Sequence, residues 1–177
     1  MTELIIGTAD SGKSALAEDL AMRTGDGRRY YLATMKVCDE EGRKRVEKHR
    51  KMREGKGFVT IERQYALSGF ADEIEKPGEV TVLLECVSNL VGTLLYEKPD
   101  RIRQLKSDGS GKIRFAEEVS GDIAELAGKV HNLIIVTNEY KVEDGFDEET
   151  RLYVELLDIV NERLRNMADR TYDLRYR

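Results

Sequence analysis

The stretch Gly7-Thr8-Ala9-Asp10-Ser11-Gly12-Lys13-Ser14 has the residue types and the spacing of a phosphate-binding loop. It fits G-x-x-x-x-G-K-[ST] at every fixed position, and the apolar run 4–6 before it is typical of a strand. The two glycines allow backbone conformations in which successive N–H groups converge on phosphate oxygens. Lys13 is predicted to bridge the β- and γ-phosphates, and Ser14 to place its hydroxyl on Mg²⁺. The first prediction is therefore a nucleotide site in residues 7–14, with GTP or ATP as the substrate.

Further candidate residues follow the apolar runs of three other predicted strands. Thr34 follows the run 29–33, Glu85 follows 80–84, and Asn138 with Glu139 follows 133–137. Ligands of parallel α/β sheets bind outside the carboxyl ends of the strands. We expect Glu85 to hold Mg²⁺ together with Ser14, Thr34 to contact nucleotide, and Asn138 and Glu139 to contact substrate. The alternatives are a carboxylate that caps a strand end and polar residues that form turns.

A basic helix face is predicted in the polar stretch 39–53. Arg45, His49 and Arg53 recur there at four-residue spacing, which places them on one side of a helix. Because runs of charge are often solvated faces, a solvent-exposed basic helix with an incidental histidine is the alternative.

Hydrophobic spacing predicts the elements that position these residues. Helices are expected over 13–23, 39–53, 87–96, 113–129 and 149–167, with a helical turn near 70–74. Strands are expected over 29–34, 58–62, 80–84 (a central strand), 133–137 and an edge strand at 171–174, whereas 98–112 is expected to be a mobile loop. This alternation predicts an α/β fold with a mainly parallel sheet between helical layers, the three-layer P-loop NTPase (RecA-like) arrangement, as a single domain over 1–177.

Composition narrows the class of protein. The 29 basic and 34 acidic residues give a net charge of -5, which argues against nonspecific nucleic-acid binding. No run of residues is long and apolar enough for a membrane span, and we expect a cytoplasmic protein. Cys38 and Cys86 fit no metal-binding spacing and are expected to be reduced thiols.

Five motifs in a fixed order resemble a known enzyme family. After G-x-x-x-S-G-K-S come Tyr31-Leu32-Ala33-Thr34, Arg45-Val46-x-x-His49 with Arg53, Leu83-Leu84-Glu85-Cys86, and Val136-Thr137-Asn138-Glu139. Their order and content resemble the bifunctional adenosylcobinamide kinase/adenosylcobinamide-phosphate guanylyltransferases of cobalamin synthesis. The resemblance covers nearly the whole chain.

The resemblance implies two reactions and a catalytic histidine. A nucleoside triphosphate phosphorylates the hydroxyl of the aminopropanol arm of a corrinoid, and GTP then donates GMP to a histidine before transfer to that phosphate. His49 occupies the histidine position, with Lys13 and Glu85 as further catalytic residues. Arg45 and Arg53 would neutralise the triphosphate during attack, and these cations would favour the neutral imidazole. A homo-oligomer, commonly a trimer, is also implied.

Two departures from the family pattern leave other functions open. Asp10 stands where the family usually has arginine, and the residues 140–146 replace a glycine-rich run that helps to build the corrinoid site. The alternatives are a transferase that retains only one of the two activities, a catalytically lapsed GTP- or ATP-binding protein that signals or assembles, and a P-loop kinase of another small metabolite.

Overall fold

The computed structural model describes residues 1–25 and 27–175, and in them six strands form one sheet in which every neighbouring pair is parallel. The strands are β1 (Thr2–Gly7), β2 (Arg29–Ala33), β3 (Phe58–Glu62), β4 (Thr81–Glu85), β5 (Asn132–Asn138) and β6 (Arg170–Asp173). Their spatial order is β3-β2-β4-β5-β1-β6, so that β4 is central and β6 lies at an edge, as the sequence predicts. The prediction of one domain over 1–177 includes residues 26, 176 and 177, which lie outside the described residues, and it stays a prediction.

Helices cover both faces of the sheet. They are α1 (Lys13–Arg23), α2 (Glu40–Arg53), α3 (Val87–Tyr96), α4 (Pro99–Ser107), α5 (Gly109–Lys129) and α6 (Glu148–Met167), with short 3₁₀ helices at Leu67–Glu73 and Pro77–Glu79. Side chains of α3, α5 and α6 pack against the sheet face that carries Leu4, Leu32 and Leu84. The opposite face, with Ile5 and Leu83, packs against α1. The alternation of strand side chains between two covered faces explains why the strands are apolar nearly throughout.

The loop prediction for 98–112 is wrong. This segment forms α4 and the first turn of α5, and a proline at the first helical position starts α4. Leu105 is 7% exposed and Ile102 packs against the core, which gives α4 an apolar face despite its charged composition. Gly109 and Gly111 lie in the first turn of α5, where the N–H groups of Gly111 and Lys112 donate to the Asp108 carbonyl.

A capping residue and favourable charges at its ends, rather than an apolar face, stabilise helix α2. Asp39 caps its start by accepting a hydrogen bond from the Gly42 N–H at 2.7 Å, and its last turn carries Arg50, Lys51 and Arg53. Just beyond its end, Lys56 pairs with Glu18 of α1, whose side chain is fully buried. The polar helix therefore lies on the α1 side of the sheet through a few specific contacts.

Candidate active site

Residues 7–14 form a tight loop between β1 and α1. Gly12 has φ 84° and stands immediately before α1, a left-handed conformation that glycine adopts without strain. A Cβ on Gly7 would lie 2.5 Å from the Ser11 hydroxyl and 3.1 Å from Leu174 Cβ, so a side chain there would push the loop open. No side chain caps the start of α1, so its free backbone N–H groups are available for an anion, as binding at a helix N-terminus requires.

Lys13 lies folded over this loop. Its Nζ donates to the Thr8 carbonyl and lies 3.4 Å from the Ser11 hydroxyl, and the residue is 8% exposed. Burial lowers the pKa of Lys13, and the nearby carboxylates of Glu85 and Asp10 act in the opposite direction. Asp10 itself is exposed, with φ 55°. The carboxylate that departs from the family pattern is therefore close enough to Lys13 to raise its pKa.

Ser14 and Glu85 place two kinds of oxygen donor side by side. The Ser14 hydroxyl donates to Glu85 Oε1, while Glu85 Oε2 is buried and has no hydrogen-bond partner among the described residues. Hydroxyl and carboxylate oxygens are ligands that Mg²⁺ prefers, and Mg²⁺ in nucleotide sites commonly takes one or two protein ligands besides phosphate. This pair fits a magnesium ion that also contacts a bound nucleotide.

The basic face of α2 points to the same region. The Arg53 guanidinium carbon lies 3.4 Å from the centre of the Tyr31 ring, and Arg53 is 6% exposed. Its Nε and Nη1 are buried without partners in the described part of the chain. His49 Nδ1, also buried and unpartnered there, is 3.9 Å from Glu85 Oε1, which is too long for a hydrogen bond. Unpaired donors on a buried arginine are costly unless a ligand accepts from them, so they indicate an anion site.

One cavity of about 550 Å³ brings these residues together. Its lining includes residues 9–14 of the loop, Arg45, His49 and Arg53 of α2, and Glu85 and Asn138 at the ends of β4 and β5. This volume lies within the range of sites for drug-sized ligands, which includes a nucleotide. Gly7 and Thr8 shape the loop from behind and are not among the described lining residues.

Two predicted site residues lie away from this cavity. Thr34 is fully buried, and its hydroxyl donates to the Cys86 carbonyl at 2.6 Å and accepts from the Cys86 N–H at 2.9 Å. Glu139 forms ion pairs with Arg165 at 2.8 Å and Arg175 at 2.6 Å. Neither residue belongs to the described cavity lining. The structure gives both of them contacts that stabilise the ends of strands, and their ligand contacts stay predictions.

The lining also includes residues that the sequence analysis did not predict as site residues, among them Tyr31, Asn89 and Tyr140. Tyr31 pairs with Leu83 across β2 and β4, two residues before the level of Glu85 on the same sheet face, so strand alternation could have found it. Burial, together with the charge of Glu85, raises the pKa of Tyr31, and its phenol stays protonated. Asn138, the last residue of β5, donates hydrogen bonds of 2.9 Å to Ser88 Oγ and to the Tyr140 hydroxyl, which connects the end of β5 to the cavity wall.

The parallel sheet, the loop at the end of β1 and the paired Ser14 and Glu85 define a P-loop nucleotide-binding protein. A solved structure from a study of a prototypical ATPase of the type III secretion system of pathogenic bacteria has the same fold, with a TM-score of 0.53 and 14% identity. That likeness covers 97% of this chain and 50% of the ATPase chain, so this chain spans half of its length. At this identity the likeness concerns the fold alone.

The chain belongs to the cobinamide kinase/cobinamide phosphate guanyltransferase family (CobU), whose pattern matches residues 3–174. It is 33% identical to the bifunctional adenosylcobalamin biosynthesis protein CobU of Escherichia coli, over 97% of this chain and 94% of that protein. It is also 33% identical to the bifunctional adenosylcobalamin biosynthesis protein CobP of Pseudomonas aeruginosa, over 78% of this chain and 72% of that protein. The family expected from the five motifs is confirmed.

Proposed function

We propose that this protein phosphorylates adenosylcobinamide and then transfers GMP from GTP to the product through a histidine–GMP intermediate on His49. The observation that carries the proposal is the single cavity in which the phosphate loop, Glu85, His49 and Arg53 meet. Family membership supplies the substrate class, and the arrangement of side chains supports both steps in one site.

In the kinase step, the acceptor hydroxyl attacks the γ-phosphorus of the bound triphosphate. A new P–O bond forms, the bond from the γ-phosphorus to the bridging oxygen breaks, and the hydroxyl proton is released to water. The protein contributes positioning and charge in such reactions. Lys13 and the N–H groups of the loop would hold the phosphates, and Ser14 with Glu85 would hold Mg²⁺, which supplies charge neutralisation when it is bound.

In the guanylyl step, a ring nitrogen of His49 attacks the α-phosphorus of GTP. A P–N bond forms, the bond to the β-phosphate breaks, and pyrophosphate leaves. An oxygen of the acceptor phosphate then attacks the same phosphorus, which frees His49 and leaves a P–O–P linkage. Arg45 lies one helical turn before His49 and Arg53 one turn after it. The unpartnered Nε and Nη1 of Arg53, together with Arg45, would stabilise charge on the departing pyrophosphate.

Labelling with GTP separates the two steps. The protein would be incubated with Mg²⁺ and GTP labelled at the α- or the γ-phosphate, with and without adenosylcobinamide, and denatured without acid. Without adenosylcobinamide, we expect α-label to stay on the wild-type protein and on His131→Ala, and to be lost from His49→Ala. His131→Ala is the matched control because His131 is the other histidine of the chain. We expect γ-label on the corrinoid with all three proteins.

Other labelling patterns would contradict the proposal in different ways. Transfer of γ-label to the corrinoid with no α-label on the wild-type protein would leave a kinase alone. Binding of GTP with neither label transferred would favour a lapsed nucleotide-binding protein. Transfer of γ-label to a different small metabolite, but not to the corrinoid, would favour another P-loop kinase, and Tyr140 in the cavity wall is the residue of the altered loop that would be involved.

We further propose a cytoplasmic homo-oligomer, a trimer by resemblance to the family. No helix in the described residues is long and apolar enough to cross a membrane. Light scattering coupled to size exclusion is expected to give three times the 20.2 kDa mass of one chain. A mass of one chain at micromolar concentration would contradict the trimer.

A further inference from the structure

A second cavity, of about 310 Å³, adjoins the cavity of about 550 Å³ beside the phosphate loop, which is called the nucleotide cavity below. It lies between α3, α6 and the segment that follows β2, and Gly92 and Thr93 of α3 face Tyr153 of α6 across it. Met35 and Asn89 line both cavities, so the two spaces share a wall. A group held in the smaller cavity is therefore next to a nucleotide bound in the larger one.

The chemistry of the smaller cavity differs from that of the larger one. Among its described lining residues Lys36 alone carries a charge, and the rest are neutral. The side-chain amide of Asn89 and the hydroxyl of Thr93 form no hydrogen bond to any residue that the structure describes. Met35 and the ring of Tyr96 add apolar surface. Unpaired neutral donors and acceptors beside apolar surface suit a neutral polar ligand better than a phosphate.

The back wall of the cavity is held in a fixed arrangement. The Tyr153 hydroxyl donates to the Ser88 carbonyl at 3.1 Å, and the rings of Tyr153 and Tyr140 lie 6.0 Å apart. Asn138 donates to Ser88 Oγ, which connects this wall to the end of β5 in the nucleotide cavity. Because residues of both cavities belong to one hydrogen-bonded group, the geometry of one cavity depends on the other.

We propose that the smaller cavity is the acceptor subsite, and that it holds an uncharged, amide-bearing arm of the corrinoid. This inference rests on the proposed function. A volume of 310 Å³ is at the lower limit for drug-sized ligands, so it admits an arm and leaves the macrocycle outside. An amide both donates and accepts hydrogen bonds, which matches the unpaired groups of Asn89 and Thr93. The phosphorylated end of the acceptor remains in the larger cavity, beside His49 and Arg53.

Filling the cavity from Gly92 tests this assignment. A Cβ at Gly92 would meet Tyr153 Cε2 at 3.7 Å, an ordinary contact, so Gly92→Leu extends a side chain into the cavity without a backbone clash. Gly121→Leu is the matched control, since Gly121 is also inside a helix and a Cβ there meets nothing within 4 Å. Thr93→Val, which removes only the hydroxyl, serves as a second variant if Gly92→Leu does not fold.

The measurements are the dissociation constants of adenosylcobinamide, by equilibrium dialysis and corrinoid absorbance, and of GTP, by calorimetry. We expect Gly92→Leu to weaken corrinoid binding about tenfold or more because the arm is excluded. Its affinity for GTP, and both affinities of Gly121→Leu, are expected to stay within about twofold of wild type. Thr93→Val is expected to weaken corrinoid binding by about threefold to tenfold.

Each other outcome overturns the assignment in a recognisable way. Unchanged corrinoid binding by a folded Gly92→Leu, or by Thr93→Val, overturns the subsite and leaves the proposed function intact. Weaker GTP binding instead would assign the cavity to the nucleotide. If the wild-type protein binds GTP but no corrinoid, the proposed function fails and the subsite fails with it.

Discussion

At the scale of single residues, the nucleotide cavity is lined by polar groups that have no hydrogen-bond partner among the described residues. Arg53 Nε and Nη1, His49 Nδ1 and Glu85 Oε2 are buried, and the described residues offer them no hydrogen-bond partner. An unpaired buried donor or acceptor costs roughly 1–3 kcal/mol of folding free energy. These groups therefore weaken the folded state unless a ligand forms hydrogen bonds with them.

Replacing Arg53 separates its effect on binding from its effect on folding. We expect Arg53→Met to change the free energy of unfolding by less than about 1 kcal/mol, because it removes unpaired donors while an apolar side chain still packs on Tyr31. The affinity for GTP is expected to fall about tenfold, the effect of one lost phosphate contact of about 1.4 kcal/mol. Urea denaturation and calorimetry would measure the two quantities. A variant that unfolds much more easily and binds GTP as wild type does would contradict the anion-binding role.

Asp10 is expected to weaken nucleotide binding. Asp10→Asn keeps the shape of the side chain, and asparagine tolerates the left-handed backbone at φ 55°. We expect it to bind GTP about fivefold more tightly at low salt, which corresponds to about 1 kcal/mol of repulsion at 4 Å in water. Calorimetry at 20 mM and 500 mM salt is the measurement, and the difference from wild type is expected to shrink at high salt. Equal affinities at low salt would show that this charge does not reach the phosphates.

At the scale of elements, buried polar contacts join the ends of the strands that carry the site. The hydroxyl of Thr34, just after β2, forms two hydrogen bonds with the backbone of Cys86, between β4 and α3. Glu85 precedes that residue directly. The position of the carboxylate at the site therefore depends on a side chain of the neighbouring strand.

Removing the Thr34 hydroxyl is expected to destabilise the fold. Thr34→Val should lower the free energy of unfolding by about 1–3 kcal/mol because the buried Cys86 groups lose their partner. Thr171→Val on the exposed edge strand β6 is the control and is expected to change it by less than about 0.5 kcal/mol. Denaturant midpoints give both values. Loss of GTP affinity in Thr34→Val without loss of stability would support the direct nucleotide contact predicted from the sequence instead.

The sequence predicted most helices and strands because the residues that mark each one lie within it or directly beside it. The bounds of α1 and β3 were predicted as observed, since a motif, a glycine or an apolar run marks their ends. The error at 98–112 came from treating charge and glycine as loop signals, although Leu105 and Ile102 give the segment a helical apolar face. The contacts of Thr34 and Glu139 could not be predicted, because their partners come from elements distant in the sequence.

At the scale of the whole molecule, the phosphate loop rests on the carboxyl end of the chain. The Leu174 N–H donates to the Ile6 carbonyl at 2.7 Å, and Leu174, 4% exposed, packs beside Gly7. Asp169 accepts from the Thr2 N–H at 2.7 Å, and Tyr172 donates to Glu3 at 2.9 Å. Strand β6 therefore covers the outer side of β1 along most of its length.

Truncating Leu174 tests this support. We expect Leu174→Ala to lower the free energy of unfolding by about 2–5 kcal/mol, as for other buried leucines, and to weaken GTP binding because the loop loses its packing partner. Thermal melts with and without GTP would measure both effects. A melting temperature equal to that of wild type would show that the loop does not depend on this contact.

The pairing of β1 also determines when this protein can become active during its synthesis. The strand that leads into the phosphate loop is translated before both of its neighbours, β5 and β6, which come from residues 132–138 and 170–173. Until those residues leave the ribosome, β1 has two unpaired edges and an apolar sequence, and both features favour aggregation. Until β5 and β6 are available, the complete phosphate-binding motif therefore has no sheet on which to form its loop.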